Sequence, residues 1–385
     1  MSYELAPMPR VTGGAGAREK VGTLAAARTG SGATVLLVAD PGLKATGLTD
    51  DVAAALAKAD LGVIVFSDFG GDPTVAAADA AAALARRSKA KAVISLGGGS
   101  ALDLGKAVAA VATTAATARR SAVDYEMCKR PFPRKNLVSI VIPTTSGTGS
   151  ELTRTAILTR ADKAKIWLWG DALKADEVIL DPETTVSLPA SLTAATGIDA
   201  LVHALEAATN GNACAANNVF AHEAIRLVAA NLERAVSHPK DIAAREALQR
   251  AAALAGAAID NGGTAVAHNI GHALASLRPI HHGRSVALGL IATLSWNMAG
   301  DDGRFAAAAA AMGVKKPEDL PKAFEALTRA TGIKVSLAEE FNGITPERLA
   351  EQMARPENAA MRASNRRRIE NADLLVFAKT VLTQD

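Results

Sequence analysis

Five of the seven histidines in this 385-residue chain fall in three short segments of its second half. Asp199 and His203 stand four apart within Thr196-Gly197-Ile198-Asp199-Ala200-Leu201-Val202-His203-Ala204-Leu205-Glu206. Four residues is about one helical turn, so a helix there puts both side chains on one face. His268 and His272 repeat the spacing in His268-Asn269-Ile270-Gly271-His272, and His281-His282-Gly283 follows. One carboxylate with neutral imidazoles makes a mixed nitrogen and oxygen donor set that suits Fe2+ or Zn2+. Each group has a plainer explanation when taken singly. An acid and a histidine at i, i+4 are commonly a surface ion pair. A histidine among Ala, Val and Ile is commonly a hydrogen-bonded core residue, and His281-His282 suits an ordinary loop. Spacing alone leaves both explanations open.

A second chemistry is suggested by glycine. Gly97-Gly98-Gly99-Ser100 lies where an apolar run gives way to a helical pattern. A strand-to-helix junction directs free backbone N–H groups and a positive helix end outward, which suits a pyrophosphate, and glycine lets the phosphate approach closely. Two better-known patterns do not match: Leu102 occupies the third glycine of GxGxxG, while Ser100 and Ala107 break a Walker A loop. Pro143-Thr144-Thr145-Ser146-Gly147-Thr148-Gly149-Ser150-Glu151 follows another apolar run and offers hydroxyl donors to a phosphate or ribose. Asp40 ends a third such run, where a carboxylate accepts from the two ribose hydroxyls of NAD and repels a 2′-phosphate. A structural turn explains any one of these; together they mark the carboxyl edge of one sheet, where ligands bind.

The elements that must hold these residues follow from periodicity. Val35–Ala39, Val63–Phe66, Ala92–Leu96, Val138–Ile142 and Val178–Leu180 read as strands. Asp51–Ala59, Thr74–Arg87 and Ala101–Thr113 read as helices, with Asp72 or Thr74 as the cap of the second. Strands joined by helical crossovers imply an α/β, Rossmann-like, mainly parallel sheet with helices on both faces. After Pro189 strand signals fade. Ala194–Ala208, Asn217–Ser237, Ile242–Asp260, Thr264–Ser276, Val286–Ala299, Arg304–Met312 and Pro346–Ala354 read as helices. The expected division is an α/β dinucleotide-binding domain over 1–186 and an all-helical metal-binding and substrate domain over 187–385.

Composition narrows the function classes. The net charge is only +3, so no nucleic-acid or membrane partner is expected. Arg366-Arg367-Arg368, answered by Glu370 and Asp373, reads as solvated surface. Cys128 and Cys214 are too few for a disulfide framework and fit a reducing compartment. Met1 to Arg10 lacks the basic and apolar regions of a signal peptide, and no apolar run reaches the roughly 18 residues of a spanning helix. A cytoplasmic protein is expected. Aromatics are 3 %, so helices rich in Ala and Gly should pack closely.

In order and spacing, these segments resemble the iron-containing (group III) alcohol dehydrogenases. The matching pieces are the Asp40 strand end, GGGSALDLGKA from Gly97, PTTSGTGSE from Pro143 and DPETTVSLP from Asp181. They continue with TGIDALVHALEA from Thr196, HNIGHALA from His268, HHG from His281 and SNRRR from Ser364. The likeness spans nearly the whole chain and implies the dehydroquinate synthase-like fold of that family. It implies Asp199, His203, His268 and His282 as ligands of Fe2+, with Zn2+ as the alternative metal. It implies His272 near the nicotinamide, helping to move protons. For NAD it implies Gly97, Gly98, Gly99 and Ser100 at the pyrophosphate and Asp103 reaching toward the nicotinamide side. Thr144, Thr145 and Thr148 match cofactor contacts, Lys165 the lysine on the ribose, and Asp40 the acid that favours NAD over NADP. Asp72 matches a cofactor-contacting position where many members carry Asn. His281 stands where Pro is frequent, leaving a second imidazole beside His282 as an alternative ligand.

The activity implied is hydride transfer between an alcohol, or the matching aldehyde or ketone, and NAD(H), in a homodimer. Other enzymes of the same fold are the alternative: maleylacetate reductases, glycerol-1-phosphate dehydrogenases and dehydroquinate synthases. A non-catalytic protein that binds metal or nucleotide is a third. Phosphorylated substrates would call for more Lys and Arg in the cleft segments, and intact ligands with both glycine loops argue against a non-catalytic protein.

Overall fold

A computed structural model describes residues 3–112, 120–133 and 137–384. The chain divides into two compact units. One comprises residues 7–145 and 149–187; the other comprises 1–6, 146–148 and 188–385.

The first unit is a sheet of β1 (Arg10–Gly13), β2 (Thr34–Ala39), β3 (Gly62–Phe66), β4 (Ala92–Gly97), β5 (Val138–Pro143) and β8 (Glu177–Leu180), in the order β1-β8-β5-β4-β2-β3, every pair parallel. A two-stranded antiparallel hairpin, β6 (Thr155–Thr159) with β7 (Lys165–Trp169), stands beside it. Side chains of β2 alternate between two cores. Val35, Leu37 and Ala39 pack with α1 (Val21–Thr29) and α2 (Leu48–Lys58). Leu36 and Val38 pack with α3 (Val75–Arg87) and α4 (Gly99–Val111) on the other face. A sheet covered on both faces is why its central strands read as continuous apolar runs.

The boundaries differ from expectation by a few residues. Thr74, not Asp72, caps α3, its hydroxyl accepting from Ala77 N at 3.0 Å. Helix α4 begins at Gly99, two residues early, and Thr113 lies outside the described residues. Strands β1, β6 and β7 were not expected at all.

The second unit is helical: α5 (Ala190–Thr209), α6 (Ala215–Ser237), α7 (Ile242–Gly262), α8 (Val266–Leu277), α9 (His282–Met298), α10 (Arg304–Ala311), α11 (Leu320–Ala330), α12 (Pro346–Ala354), α13 (Ala359–Ala363) and α14 (Asn371–Leu382). Small residues let the backbones close in. A Cβ on Gly197 would lie 2.3 Å from Leu232 Cδ1 on α6, and one on Gly289 would lie 2.5 Å from Ala267 O on α8. The beginning of α5 is tied down by Arg245 of α7. Its buried guanidinium donates to Thr193 Oγ1 at 2.8 Å and to Pro239 O at 2.9 Å. The arginine run is exposed, as read. Arg366 pairs with Asp302 rather than with Asp373, Arg367 stacks over Trp296, and Arg368 pairs with Glu370. Asp373 instead closes the capping box of α14. Among the described residues no helix is long and apolar enough to cross a membrane.

Candidate metal centre and dinucleotide loops

Three helices bring the four expected ligands together. Asp199 and His203 project from one face of α5, His268 from the first turn of α8, and His282 is the first residue of α9. Each offers one donor atom, and all four atoms lie within 4.8 Å of one another. Asp199 Oδ1 is 3.9 Å from His203 Nε2, 3.9 Å from His268 Nε2 and 3.6 Å from His282 Nε2. Tetrahedral donors bound at about 2.1 Å stand roughly 3.4 Å apart, close to this spacing. His281 is exposed and is not part of the cluster.

The electrostatics fit a cation. Asp199 Oδ1 and His268 Nε2 are both buried and have no hydrogen-bond partner. Buried polar atoms are almost always paired, so two facing orphans call for a shared partner. Burial pushes the Asp199 carboxyl up from its ordinary range, with only partial relief from nearby histidines. Burial, reinforced by His203 and His272, holds the His268 imidazole well below its ordinary value. It is therefore neutral at pH 7, the form that binds metal. One carboxylate and three neutral imidazoles around a divalent ion carry a net charge of about +1, which preserves Lewis acidity. His272 stands one turn beyond His268, half-buried, its ring centroid 5.5 Å from that of His282.

Glu206 is a site residue that sequence reasoning passed over. It follows Asp199 by seven residues, on the same face of α5, and is 4 % exposed. Its Oε2 accepts from Ala265 N at 2.8 Å and lies 2.6 Å from His268 Nδ1; its Oε1 accepts from Ala267 N at 2.7 Å. Burial pushes its carboxyl up to about 7, against the pull of these donors. The signal was present: an acid at i+7 from a proposed ligand shares its helix face.

In the first unit, Asp40 directly follows β2 and Gly97 ends the adjacent strand β4. The chain leaves β2 toward β3 and leaves β4 toward β5, so strand order reverses between them. That switch point is where open α/β sheets bind ligands. Gly97 has φ +151°, and a Cβ there would lie 2.8 Å from Asp40 Cβ and 2.7 Å from Ala101 Cβ, so only glycine closes this edge. Gly98 precedes α4 and gives it no side-chain cap, leaving the first N–H groups, from Gly99 and Ser100 onward, for an anion. Thr145 packs against Gly98, and Thr144 N donates to Gly97 O at 2.9 Å, so the two loops share one rim. Asp40 Oδ1 accepts from Gly42 N at 2.8 Å. Ser100 Oγ donates to Gly71 O. Lys165 Nζ pairs with Asp72 Oδ1 at 3.1 Å, so these two expected contacts face each other. Thr148 groups with the second unit.

Asp103 has partners inside the protein. It is 9 % exposed, Ser150 donates to its Oδ1, and Ile157 N donates to its Oδ2 at 2.8 Å. Beneath the loop, the buried Lys106 ammonium donates to Ser150 O at 2.8 Å and to Thr153 Oγ1 at 3.2 Å. Glu151 is buried beside them, its Oε1 without a hydrogen-bond partner, and burial raises its carboxyl to about 7. An acid whose folded pKa is raised destabilises the fold between the unfolded value and the folded one, and the full cost persists at higher pH. The cost is therefore absent below about 4.5, grows toward 7, and reaches roughly 3 kcal/mol above it, at 1.36 kcal/mol per pKa unit. Glu151→Gln should raise the urea midpoint at pH 8 and leave it nearly unchanged at pH 4; equal shifts at both would show that ionisation of Glu151 is not the cause.

The profile described as iron-containing alcohol dehydrogenase matches residues 8–182, and that of the Fe-containing alcohol dehydrogenase family, C-terminal, matches residues 193–381. The chain belongs to the iron-containing alcohol dehydrogenase family and is an NAD(H)-linked oxidoreductase. It is 38 % identical over 256 residues to long-chain-alcohol dehydrogenase 1 of Geobacillus thermodenitrificans, a match covering 66 % of this chain and 64 %, just under two thirds, of that enzyme. It is 34 % identical over 280 residues to the NAD-dependent methanol dehydrogenase of Bacillus methanolicus, covering 72 % of each. The crystal structure of sulfoacetaldehyde reductase from Bifidobacterium kashiwanohense in complex with NAD+ superposes with a TM-score of 0.90 at 26 % identity, covering 100 % of both chains.

Proposed function

We propose that this chain interconverts primary alcohols and aldehydes with NAD(H), using a divalent metal held by Asp199, His203, His268 and His282. Iron is the expected ion, with zinc as the alternative, since both accept this donor set. The observation that carries the reading is the pair of buried, unpartnered donor atoms, Asp199 Oδ1 and His268 Nε2, facing each other across 3.9 Å. Support for primary alcohols comes from relatives named for methanol and long-chain alcohols.

Bound by these residues, a divalent cation would supply the Lewis acidity that makes an alcohol hydroxyl acidic at neutral pH, and bound NAD+ would supply the hydride acceptor. The protein's own residues do the rest. Asp199 and the three imidazoles fix where the alcohol oxygen stands. The imidazole of His272 takes the hydroxyl proton onward. Gly97, Gly98, Gly99 and Ser100 hold the pyrophosphate at the start of α4, Thr144, Thr145 and Thr148 supply hydroxyls, and Asp103 braces their loop through Ser150. Lys165, with Asp72, faces the ribose, and Asp40 takes its hydroxyls. We place the enzyme in the cytoplasm, consistent with two free cysteines. We further propose a homodimer, for which the open edge of β1, with Val11 exposed, offers a pairing surface.

The test is NADH formation from a panel of short and long primary alcohols by protein loaded with Fe2+ or Zn2+. Absence of turnover with every alcohol and aldehyde would reject the reading. A narrower prediction concerns cofactor choice. A 2′-phosphate near Asp40 is repelled by about 1 kcal/mol per unit charge at 4 Å in water. Asp40→Gly should therefore shrink the NAD over NADP preference in kcat/KM by about tenfold or more; an unchanged ratio removes Asp40 from that role.

A further inference from the structure

A neutral imidazole carries one N–H, and the nitrogen that holds it cannot ligate a metal. Which nitrogen of His268 holds its proton therefore decides whether the ring is a ligand. An ionised Glu206 is acceptor-only, and its two oxygens accept from Ala265 N and Ala267 N, so with the carboxylate ionised the 2.6 Å contact with His268 Nδ1 places the proton on that nitrogen. The lone pair is left on Nε2, the buried atom without a partner in the ligand cluster. His203 shows the contrast: its Nδ1 is buried and lacks any hydrogen-bond partner. The same carboxylate does a second task. Ala265 precedes α8 without capping it by a side chain, and the first N–H groups of a helix have no partner within it. Glu206, reaching from α5, supplies that partner.

We propose that Glu206 is the positioning residue of the metal centre: it holds His268 as the Nδ1–H tautomer, docks the start of α8 onto α5, and so sets how tightly the ion is held. The inference rests on the metal reading above but is separable from it. Its negative charge behind His268 also makes the imidazole a stronger donor.

The test compares wild type with Glu206→Gln, metal-free and then titrated with Zn2+ against a chromophoric chelator. Glutamine keeps the shape but has one acceptor oxygen, and its NH2 group cannot accept from His268. Outer partners of this kind are worth about 10–100-fold in metal affinity, and that rise in Kd is expected for the variant. The thermal midpoint of the metal-free form reports the capping of α8 separately. In metal-free wild type, the 15N spectrum of His268, assigned by its loss in His268→Ala, should show the proton on Nδ1. A folded Glu206→Gln protein whose Kd lies within twofold of wild type overturns the proposal, and so does a wild-type His268 protonated on Nε2. If the variant does not fold, the wild-type tautomer decides. Wild type that fails to bind Zn2+ or Fe2+ removes the metal reading instead, and the tautomer still decides the link between Glu206 and His268.

Discussion

Replacing His268 with alanine should strip the protein of tightly held metal and reduce alcohol oxidation by about 10^3 in kcat/KM. The size follows from the several kcal/mol a Lewis acid contributes to such a transition state, at 1.36 kcal/mol per tenfold. His268 is the most constrained of the imidazole ligands, 3 % exposed, its ring stacked on that of His203 at 4.5 Å between centroids. Three donors would remain, but Asp199 Oδ1 would keep its burial and lose one facing lone pair. The glycine loop and most of the second loop belong to the other unit, and His268 touches neither, so NADH affinity by fluorescence titration should stay near the wild-type value. Metal analysis and turnover must be measured on the same preparation. Wild-type turnover by metal-free His268→Ala protein would end the metal mechanism.

Gly283→Ala should be the most damaging change that alters no functional group. A Cβ at Gly283 would stand 1.9 Å from Ala195 O and 3.3 Å from Asp199 Cβ, so α9 would have to retreat from α5. The adjacent His282 would retreat with it, away from an Asp199 oxygen now at 3.6 Å. Overpacking of this kind costs about 1–3 kcal/mol, and a displacement near 1 Å at a reacting centre costs about 100-fold in rate. The expected result is a lower melting temperature, weaker metal binding and a kcat/KM down by about two orders of magnitude. Normal metal affinity in the folded variant would show that α9 does not set the position of His282.

Much of this was legible before any coordinates. Strands β2, β4 and β5 are buried on both faces, so their apolar runs were continuous. The ligands on α5 announced themselves because a helix maps i, i+4 onto one face. Other elements left weaker traces. Strand β1 has four residues, mostly exposed, ending in Gly13. The β6–β7 hairpin turns through Lys163 at φ +67°, where no Gly marks the turn. Helix α11 is preceded by Pro317 and carries Pro321 in its first turn, which disguised its start. Asp103 and Lys106 pair with each other at i, i+3, but Ser150, Thr153 and Ile157, to which they are hydrogen-bonded, lie more than forty residues along the chain, so no local pattern discloses those contacts. Glu206 stands in the same segment as two of the ligands, but its role depends on the backbone of a helix nearly sixty residues later.

The four donors come from three helices, with α5 far along the chain from the consecutive α8 and α9, and no single helix carries more than two. An excised segment of the C-terminal unit cannot reproduce the donor set, because the set comes into being only when α5, α8 and α9 have docked. Titrating the ion therefore counts correctly assembled molecules, and a chelator removes a cross-link joining distant parts of the chain. Batches with equal protein but unequal ion content should differ in resistance to heat as well as in turnover.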